Sequence, residues 1–221
     1  LEKAAEFSTL RADCVEWRID CFEGAKDLPA IVHCAAKLRV ALKDQLLLFT
    51  FRTKTEGGKV ALAHEEYLHF IRTVLATDCA DLIDIEFFTS GAELPALIEE
   101  AHTAGAAVEC SSHDFHKTPL RAELVSRMVA MQQAGADLPK LAVMPQSRAD
   151  VLELLAATAE MADRHPETPI ITMSMGALGA VSRLSGEALG SAMTFANPGQ
   201  ASAPGQVSLE VVNEVLDALH L

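Results

Sequence analysis

The feature of this sequence that most constrains its fold is an alternation of short apolar runs with stretches of helical periodicity. Seven runs have the length and flanking turn residues of buried strands, and they begin at Val15, Leu46, Leu82, Ala106, Lys140, Pro169 and Ala192. Because a helical stretch follows each run, the sequence predicts a parallel sheet. No Gly-x-Gly-x-x-Gly motif follows a strand, and polar residues lie where the strands end. Both observations favour an α/β fold of the (β/α)8 TIM-barrel type over an open dinucleotide-binding sheet.

The predicted helices have recognisable start and stop signals. We expect Pro29 to begin one helix, and Thr118 with Pro119 to cap and begin another. Ser147 and Asp150 have the spacing of a capping box. The helix that begins at Thr118 and Pro119 is expected to end near Gly135. Further helices are predicted over residues 63–76, from Leu94 to a cap at Gly105, and over 208–219, and residues 1–7 have the pattern of a helix body.

Size, charge and cysteine usage narrow the class of protein. The 221 residues suffice for one core, so we predict a single catalytic barrel domain over residues 1–221. A net charge of −13, from 31 acidic and 18 basic residues, argues against nucleic acid or an anionic membrane as a partner. No apolar run approaches the roughly 18 residues of a membrane helix. Five scattered cysteines without a Cys-x-x-Cys pair, and no signal peptide at the start, predict a cytoplasmic location.

A lysine begins the fifth apolar run. Since side chains alternate along a strand, Lys140, Ala142 and Met144 are expected to share one face. One interpretation is a lysine at a strand start that extends its amine to water. The other is a buried amine whose charged form is disfavoured by desolvation, an effect that a neighbouring Arg18 or Arg52 would strengthen.

Polar and methionine side chains occupy the other strand ends and the loops that follow. They are Glu16, Arg18, Asp20, Arg52, Glu56, Glu86, His113, Met173, Met175, Arg183, Ser202 and Gln206. Simpler interpretations exist: a neutralising network on the first strand, surface charges after the second, and a rigid turn over residues 202–206. His113 and His116 raise the question of a metal, but a His-x-x-His pair at a strand end does not aim both rings at one point. No third ligand has suitable spacing, so no metal is predicted.

Taken together, these residue types suit imine chemistry. A lysine amine inside a barrel can attack a ketone to form a Schiff base, which acidifies the adjacent carbon. Histidine is the side chain best matched to move that proton near neutral pH. Arginines would hold a substrate carboxylate through paired hydrogen bonds.

Eight segments of the chain, taken in order, form a pattern that extends from the first strand to the last loop. They begin at Glu16, Leu48, Glu56, His113, Pro139, Thr172, Ser182 and Ser202. In sequence and spacing they resemble the type I 3-dehydroquinate dehydratases, the Schiff-base lyases of the shikimate pathway. The resemblance implies dehydration of the small-molecule substrate 3-dehydroquinate to 3-dehydroshikimate, with neither metal nor added cofactor, by a homodimer.

The resemblance also implies roles for individual residues. Lys140 would be the Schiff-base lysine, and His113 the general base that then serves as acid. The implied substrate-binding residues are Glu16, Arg18, Arg52, Glu56, Met173, Met175, Arg183, Ser202 and Gln206. Arg183 is the candidate residue for binding the substrate carboxylate, and residues 197–206 would form a lid over the substrate.

The start of the chain departs from the family pattern. The family has a further strand and a hairpin ahead of the first helix, and this sequence begins inside that helix. We therefore expect either a fragment of a longer gene product or a barrel with a gap and two unpaired sheet edges. Two alternatives to the lyase stay open: another Schiff-base barrel such as a class I aldolase, and a chain that binds the ligand without turnover.

Overall fold

The computed structural model describes residues 6–199 and 203–219, which contain six strands. The strands are β1 (Cys14–Arg18), β2 (Leu46–Thr50), β3 (Leu82–Glu86), β4 (Ala107–Asp114), β5 (Leu138–Val143) and β6 (Ile171–Ser174). In the sheet they follow chain order, from β1 to β6. The pairs β1–β2, β2–β3 and β5–β6 are parallel, as the alternation of strands and helices predicts.

The helices fall in the intervals between the strands. They are α1 (Leu28–Leu42), α2 (His64–Leu75), α3 (Phe87–Ser90), α4 (Leu94–Thr103), α5 (Arg121–Gln133), α6 (Arg148–Arg164), α7 (Ala180–Leu184) and α8 (Leu209–Leu219). The predicted capping box of α6 is confirmed, because the Ser147 hydroxyl accepts from the Asp150 amide. Gly105 and Gly135 follow their helices with positive φ, as helix-ending glycines do.

The chain divides into two compact units, Leu1–Cys110 and Ser111–Leu221. In the first unit, β1 pairs with β2 in a register that sets Glu16 opposite Leu48. Helix α1 begins with Pro29 in its first turn and an Asp27 side chain that accepts from the Ala30 amide. The first unit thus builds parallel strands that end in polar residues.

In the second unit, β5 and β6 pair in a register that sets Lys140 opposite Ile171 and Ala142 opposite Met173. The other face of β6 carries Thr172, whose hydroxyl lies 2.6 Å from that of Thr158 on α6. One face of this strand pair is therefore covered by a helix, and the other carries Lys140.

The predicted seventh strand is not formed. Residues 192–196 belong to no strand, and an isolated bridge joins Ile170 to Ser191. The reason lies in the hydrogen bonds of β6: the Thr172 amide donates to the Ser191 hydroxyl at 3.1 Å, and the Ser174 amide donates to the Ser182 hydroxyl at 2.9 Å. Because serine side chains satisfy these amides, no backbone ladder develops along this edge.

The predicted helix start at Thr118 and Pro119 is also wrong by a few residues. Helix α5 begins at Arg121 with Leu120 as its cap, and the Leu120 side chain makes no capping hydrogen bond. Of the helix expected over residues 1–7, only 6 and 7 lie within the described residues, and both are helical. Within residues 6–199 and 203–219, no helix has the length and apolarity needed to cross a bilayer.

Candidate active site

Lys140 is buried in the second unit, with 3% of the residue exposed. Its Nζ atom lies 3.9 Å from the centroid of the Phe195 ring. This burial contradicts the interpretation in which the amine extends to water and agrees with the interpretation of a buried amine. Phe195 comes from the segment that follows Ser191, so this segment covers the lysine without being a strand.

On β5 and β6, the residues that share a face with Lys140 are apolar. Buried Ala142, Ile171, Met173 and Met175 form a cluster. Partly buried hydrophobic residues pack against it, namely Phe115, Leu138, Met144, Met193 and Phe195. The predicted sharing of one face by Ala142 and Met144 is confirmed, and Met173 and Met175 belong to the same cluster.

Arg183, on α7, is a buried cation with 2% of the residue exposed. Its Nη1 atom lies 3.5 Å from the Met173 sulfur, and Nη2 donates to the Pro204 carbonyl at 3.3 Å. Within residues 6–199 and 203–219, Nε has no hydrogen-bond partner and no carboxylate pairs with the guanidinium. Burial lowers the pKa of Arg183 below its ordinary value. A buried arginine of this kind is suited to receive an anion.

Hydrogen bonds and a close backbone approach hold the loop that carries Pro204. At its base, the Asn197 amide donates to the Val207 carbonyl at 3.0 Å, and the Asn197 side chain donates to the Gln206 carbonyl at 3.3 Å. At its far end, Gly176 and Gly205 approach so closely that a Cβ at Gly205 would lie 2.3 Å from the Gly176 oxygen. Half-buried Gln206 is thus held next to the β6 exit, whereas Ser202 lies outside the described residues.

His113 lies near the end of β4, the strand next to β5, and is half-buried. Its ring stacks on that of Phe115, with 6.5 Å between centroids and 20° between planes. Phe115 in turn packs against the apolar cluster around Met173. The neighbouring strands therefore carry the predicted proton-transfer residue and the predicted nucleophile within one unit.

In the first unit, Arg52 is the centre of a buried acidic network. Its Nη1 donates to Glu86 at 2.9 Å and lies 3.6 Å from Glu56, and its Nη2 donates to Asp84 at 2.6 Å. Burial alone would lower the pKa of Arg52, but the three carboxylates outweigh it and raise that pKa. The simpler interpretation, in which Arg52 and Glu56 are surface charges after β2, is wrong, because both residues are buried.

The remaining predicted residues of the first unit, Glu16 and Arg18, lie on β1. The Thr50 hydroxyl donates to Glu16 at 2.9 Å, and Arg18 donates to Asp20 through Nε at 2.8 Å and through Nη2 at 2.9 Å. This partly fulfils the interpretation of a neutralising network on the first strand. Among the residues that the structure describes, no three His, Cys, Asp or Glu side chains come together as a metal site would require.

The comparisons with known proteins agree on one family. The profile of the type I 3-dehydroquinase family matches residues 1–221. The chain belongs to the type I 3-dehydroquinase family.

Two bacterial relatives from the type I 3-dehydroquinase family share close to half of their aligned residues with this chain. The 3-dehydroquinate dehydratase of Klebsiella pneumoniae strain 342 is 49% identical over 208 residues, which are 94% of this chain and 83% of that protein. The 3-dehydroquinate dehydratase of Bacillus subtilis strain 168 is 46% identical over 220 residues, which are 100% of this chain and 86% of that protein.

Solved structures give the same result for the fold. The type I 3-dehydroquinate dehydratase of Clostridium difficile, crystallised with covalent modified comenic acid, superposes with a TM-score of 0.95 at 43% identity. The match covers 99% of this chain and 86% of that one. The carboxyl transferase domain of Rhizobium etli pyruvate carboxylase, at 13% identity and a TM-score of 0.69, is similar in fold alone. The predicted TIM-barrel class of fold is confirmed.

In this member of the type I 3-dehydroquinase family, two residues that contact predicted site residues were not themselves predicted from the sequence. Phe195 lies over Lys140, and its alternation with Met193 was a signal that both face the same side. Asp84 binds Arg52, and its position two residues before Glu86 was a signal that both carboxylates point to one face of β3.

Proposed function

We propose that this protein dehydrates 3-dehydroquinate to 3-dehydroshikimate through a Schiff base on Lys140. The observation that carries the proposal is the burial of Lys140, whose amine lies against the Phe195 ring on the face of β5 and β6 that carries the apolar cluster. A ketone-containing substrate would meet the nucleophile in surroundings that exclude water. The covalent modified comenic acid in the Clostridium difficile relative is consistent with covalent chemistry in the family.

The proposed reaction requires two groups of the protein, the Lys140 amine as nucleophile and one side chain that transfers a proton. The Lys140 amine adds to the substrate ketone, and water leaves as the imine forms. A proton is then removed from the carbon next to the imine, and the electron pair moves through the enamine to expel the β-hydroxyl group as water. Hydrolysis of the conjugated imine consumes one water and restores the amine. The net change is the loss of one water from the substrate.

We assign the proton transfers to His113. It lies on the strand next to that of Lys140, and its ring is oriented by stacking on Phe115. A histidine can take the proton beside the imine as general base and return it to the departing hydroxyl as general acid. One side chain therefore serves both steps.

We assign the binding of the substrate carboxylate to Arg183. The guanidinium is buried, and no carboxylate among the described residues neutralises it. A substrate carboxylate would supply the missing charge through two parallel hydrogen bonds. Because Pro204 accepts from the same guanidinium, the loop after Asn197 and the anion would be coupled through Arg183.

The other substrate contacts follow from the family resemblance. We propose that Glu16, Arg18, Arg52, Glu56, Ser202 and Gln206 bind substrate, that Met173 and Met175 form pocket wall, and that residues 197–206 act as a lid. The expected homodimer and cytoplasmic location remain predictions, which sedimentation and cell fractionation would test.

The experiment that tests this function compares His113→Ala with wild type and with His116→Ala. Turnover of 3-dehydroquinate is followed by the ultraviolet absorbance of the conjugated product. His113→Ala should lower kcat by about 10²- to 10⁴-fold, since a general acid–base catalyst contributes that much, while the imine still forms and is detected by mass spectrometry. The exposed His116 serves as control, and His116→Ala should keep the wild-type rate. Wild-type protein that binds 3-dehydroquinate without turnover would refute the proposed function.

A further inference from the structure

We infer that Asp20 is a positioning residue that fixes the guanidinium of Arg18 for an anionic or hydroxyl-rich substrate. The inference rests on the proposed function, because Arg18 is there a substrate contact. Asp20 itself would touch no substrate atom. It would act by holding Arg18 in one orientation.

The contact between the two side chains is bidentate. The Asp20 carboxylate accepts from Arg18 Nε at 2.8 Å and from Nη2 at 2.9 Å, so both oxygens engage one edge of the guanidinium. Two parallel charge-assisted hydrogen bonds fix the plane of the guanidinium as well as its position. Asp20 is 2% exposed, which keeps this pair from competing water.

The carboxylate is itself held in place by two other segments of the first unit. The Lys59 amide donates to Asp20 Oδ2 at 3.1 Å, and the Arg52 amide lies 3.4 Å from Oδ1. Asp20 also belongs to a short 3-10 turn, Ile19–Cys21, that follows β1 directly. Arg18 is therefore oriented by a carboxylate that the backbone fixes, and its long side chain needs to lose little freedom when a ligand binds.

The opposite edge of the Arg18 guanidinium is turned away from Asp20. Its Nη1 has no hydrogen-bond partner among residues 6–199 and 203–219, and the Arg18 side chain keeps 18% of its surface exposed. Arg52 differs, because its Nη1 and Nη2 both face carboxylates of the protein. Arg18 thus presents N–H groups from which a ligand oxygen can accept hydrogen bonds.

The test is a double-mutant cycle with Asp20→Asn, Arg18→Ala and the double variant. The amide of Asp20→Asn has nearly the shape of the carboxylate but cannot accept two guanidinium bonds, so KM for 3-dehydroquinate should rise about tenfold. We expect kcat to stay within about twofold, since Asp20 does not touch the reacting atoms. In the Arg18→Ala background, Asp20→Asn should change KM by less than about twofold, because the residue through which it acts is absent. Asp44→Asn, at an exposed turn, is the matched control for loss of a carboxylate.

The same cycle separates the ways in which the inference fails. A KM increase of equal size with and without Arg18 would show that Asp20 acts through loop structure, and it would overturn the inference, as would an unchanged KM in folded Asp20→Asn. If Asp20→Asn does not fold, Asp20→Glu takes its place with the same expectation, because it keeps the charge but displaces it. Failure of the proposed function gives a different result, no turnover by wild type, and the dissociation constant of 3-dehydroquinate from calorimetry then replaces KM in the cycle.

Discussion

The Nζ atom of Lys140 lies 3.9 Å from the centre of the Phe195 ring, which packs against the buried cluster of Ala142, Ile171, Met173 and Met175. This contact joins β5 to residues 192–196, the segment that was predicted as a seventh strand. Phe195 is kept in position because Ser191 binds the β6 edge and Thr194 donates to the Arg183 carbonyl at 2.9 Å. The lysine is therefore covered by a segment whose placement depends on side-chain hydrogen bonds.

The first prediction concerns the unpaired charge of Arg183. Arg183→Met removes a buried cation and keeps a side chain of similar length, so the free energy of unfolding should stay equal or rise by about 1 kcal/mol. The same variant should raise KM for 3-dehydroquinate about 10- to 100-fold, the range expected when charged hydrogen bonds are lost. Denaturant titration and steady-state kinetics measure the two effects. A large loss of stability would show that the guanidinium has a structural role.

The second prediction applies the same substitution to Arg52. Arg52→Met leaves Asp84, Glu86 and Glu56 buried without their common cation, so it should lower the free energy of unfolding by roughly 3–5 kcal/mol. Arg72→Met is the control, because Arg72 and its partner Glu100 are exposed, and it should cost less than about 1 kcal/mol. Equal effects for the two variants would contradict the buried network.

The third prediction concerns the serine hydroxyls at the β6 edge. Ser191→Ala leaves the buried Thr172 amide without its acceptor, which should lower the free energy of unfolding by about 1–3 kcal/mol. Ser185→Ala should change it by less than about 0.5 kcal/mol, since the Ser185 hydroxyl only donates to a neighbouring helix carbonyl. Hydrogen exchange at the Thr172 amide should accelerate in Ser191→Ala alone. An unchanged exchange rate would mean that a backbone acceptor replaces the hydroxyl.

The fourth prediction is the pH dependence that Asp20 contributes. Burial acts to raise the pKa of Asp20, but the hydrogen bonds and charge of Arg18 outweigh it and lower that pKa below its ordinary value. A lowered pKa in the folded state means that the stabilisation is complete above the unfolded value of about 4 and is lost as the pH falls through the folded value. The difference in free energy of unfolding between wild type and Asp20→Asn should therefore be constant from about pH 7 to 5 and shrink below about pH 4. A difference that grows as the pH falls would contradict the assignment.

Most strands and helices could be predicted from sequence because their signals are local. The run from Lys140 alternates its faces as predicted, and the capping box of Ser147 and Asp150 forms where the spacing indicates. The segment at 192–196 has a strand-like pattern, but whether it pairs depends on which acceptors reach β6. The hydroxyls of Ser191 and Ser182 accept hydrogen bonds from the β6 amides instead of backbone carbonyls of the segment. The sequence of residues 192–196 alone does not indicate this outcome.

The residues of the candidate site could be named from the sequence, but their partners could not. Lys140 and His113 could be chosen because their chemistry is unusual at the end of an apolar strand, and Arg183 could be chosen through the family resemblance. The burial of Arg52 could not be foreseen, since it depends on Asp84 and Glu86 of another strand, which meet Arg52 only when the β2–β3 register is formed. Phe195 covers Lys140 through a similar long-range placement.

The most direct measurement is reductive trapping of the imine, and it is the fifth prediction. The protein is mixed with 3-dehydroquinate, treated with sodium borohydride, digested, and analysed by peptide mass spectrometry. We expect a reduced substrate adduct on the peptide that contains Lys140, and no adduct in Lys140→Met protein. The exposed Lys117 is an internal control for non-specific reaction and should stay unmodified. An unmodified Lys140 in folded protein that converts 3-dehydroquinate would contradict the Schiff-base mechanism.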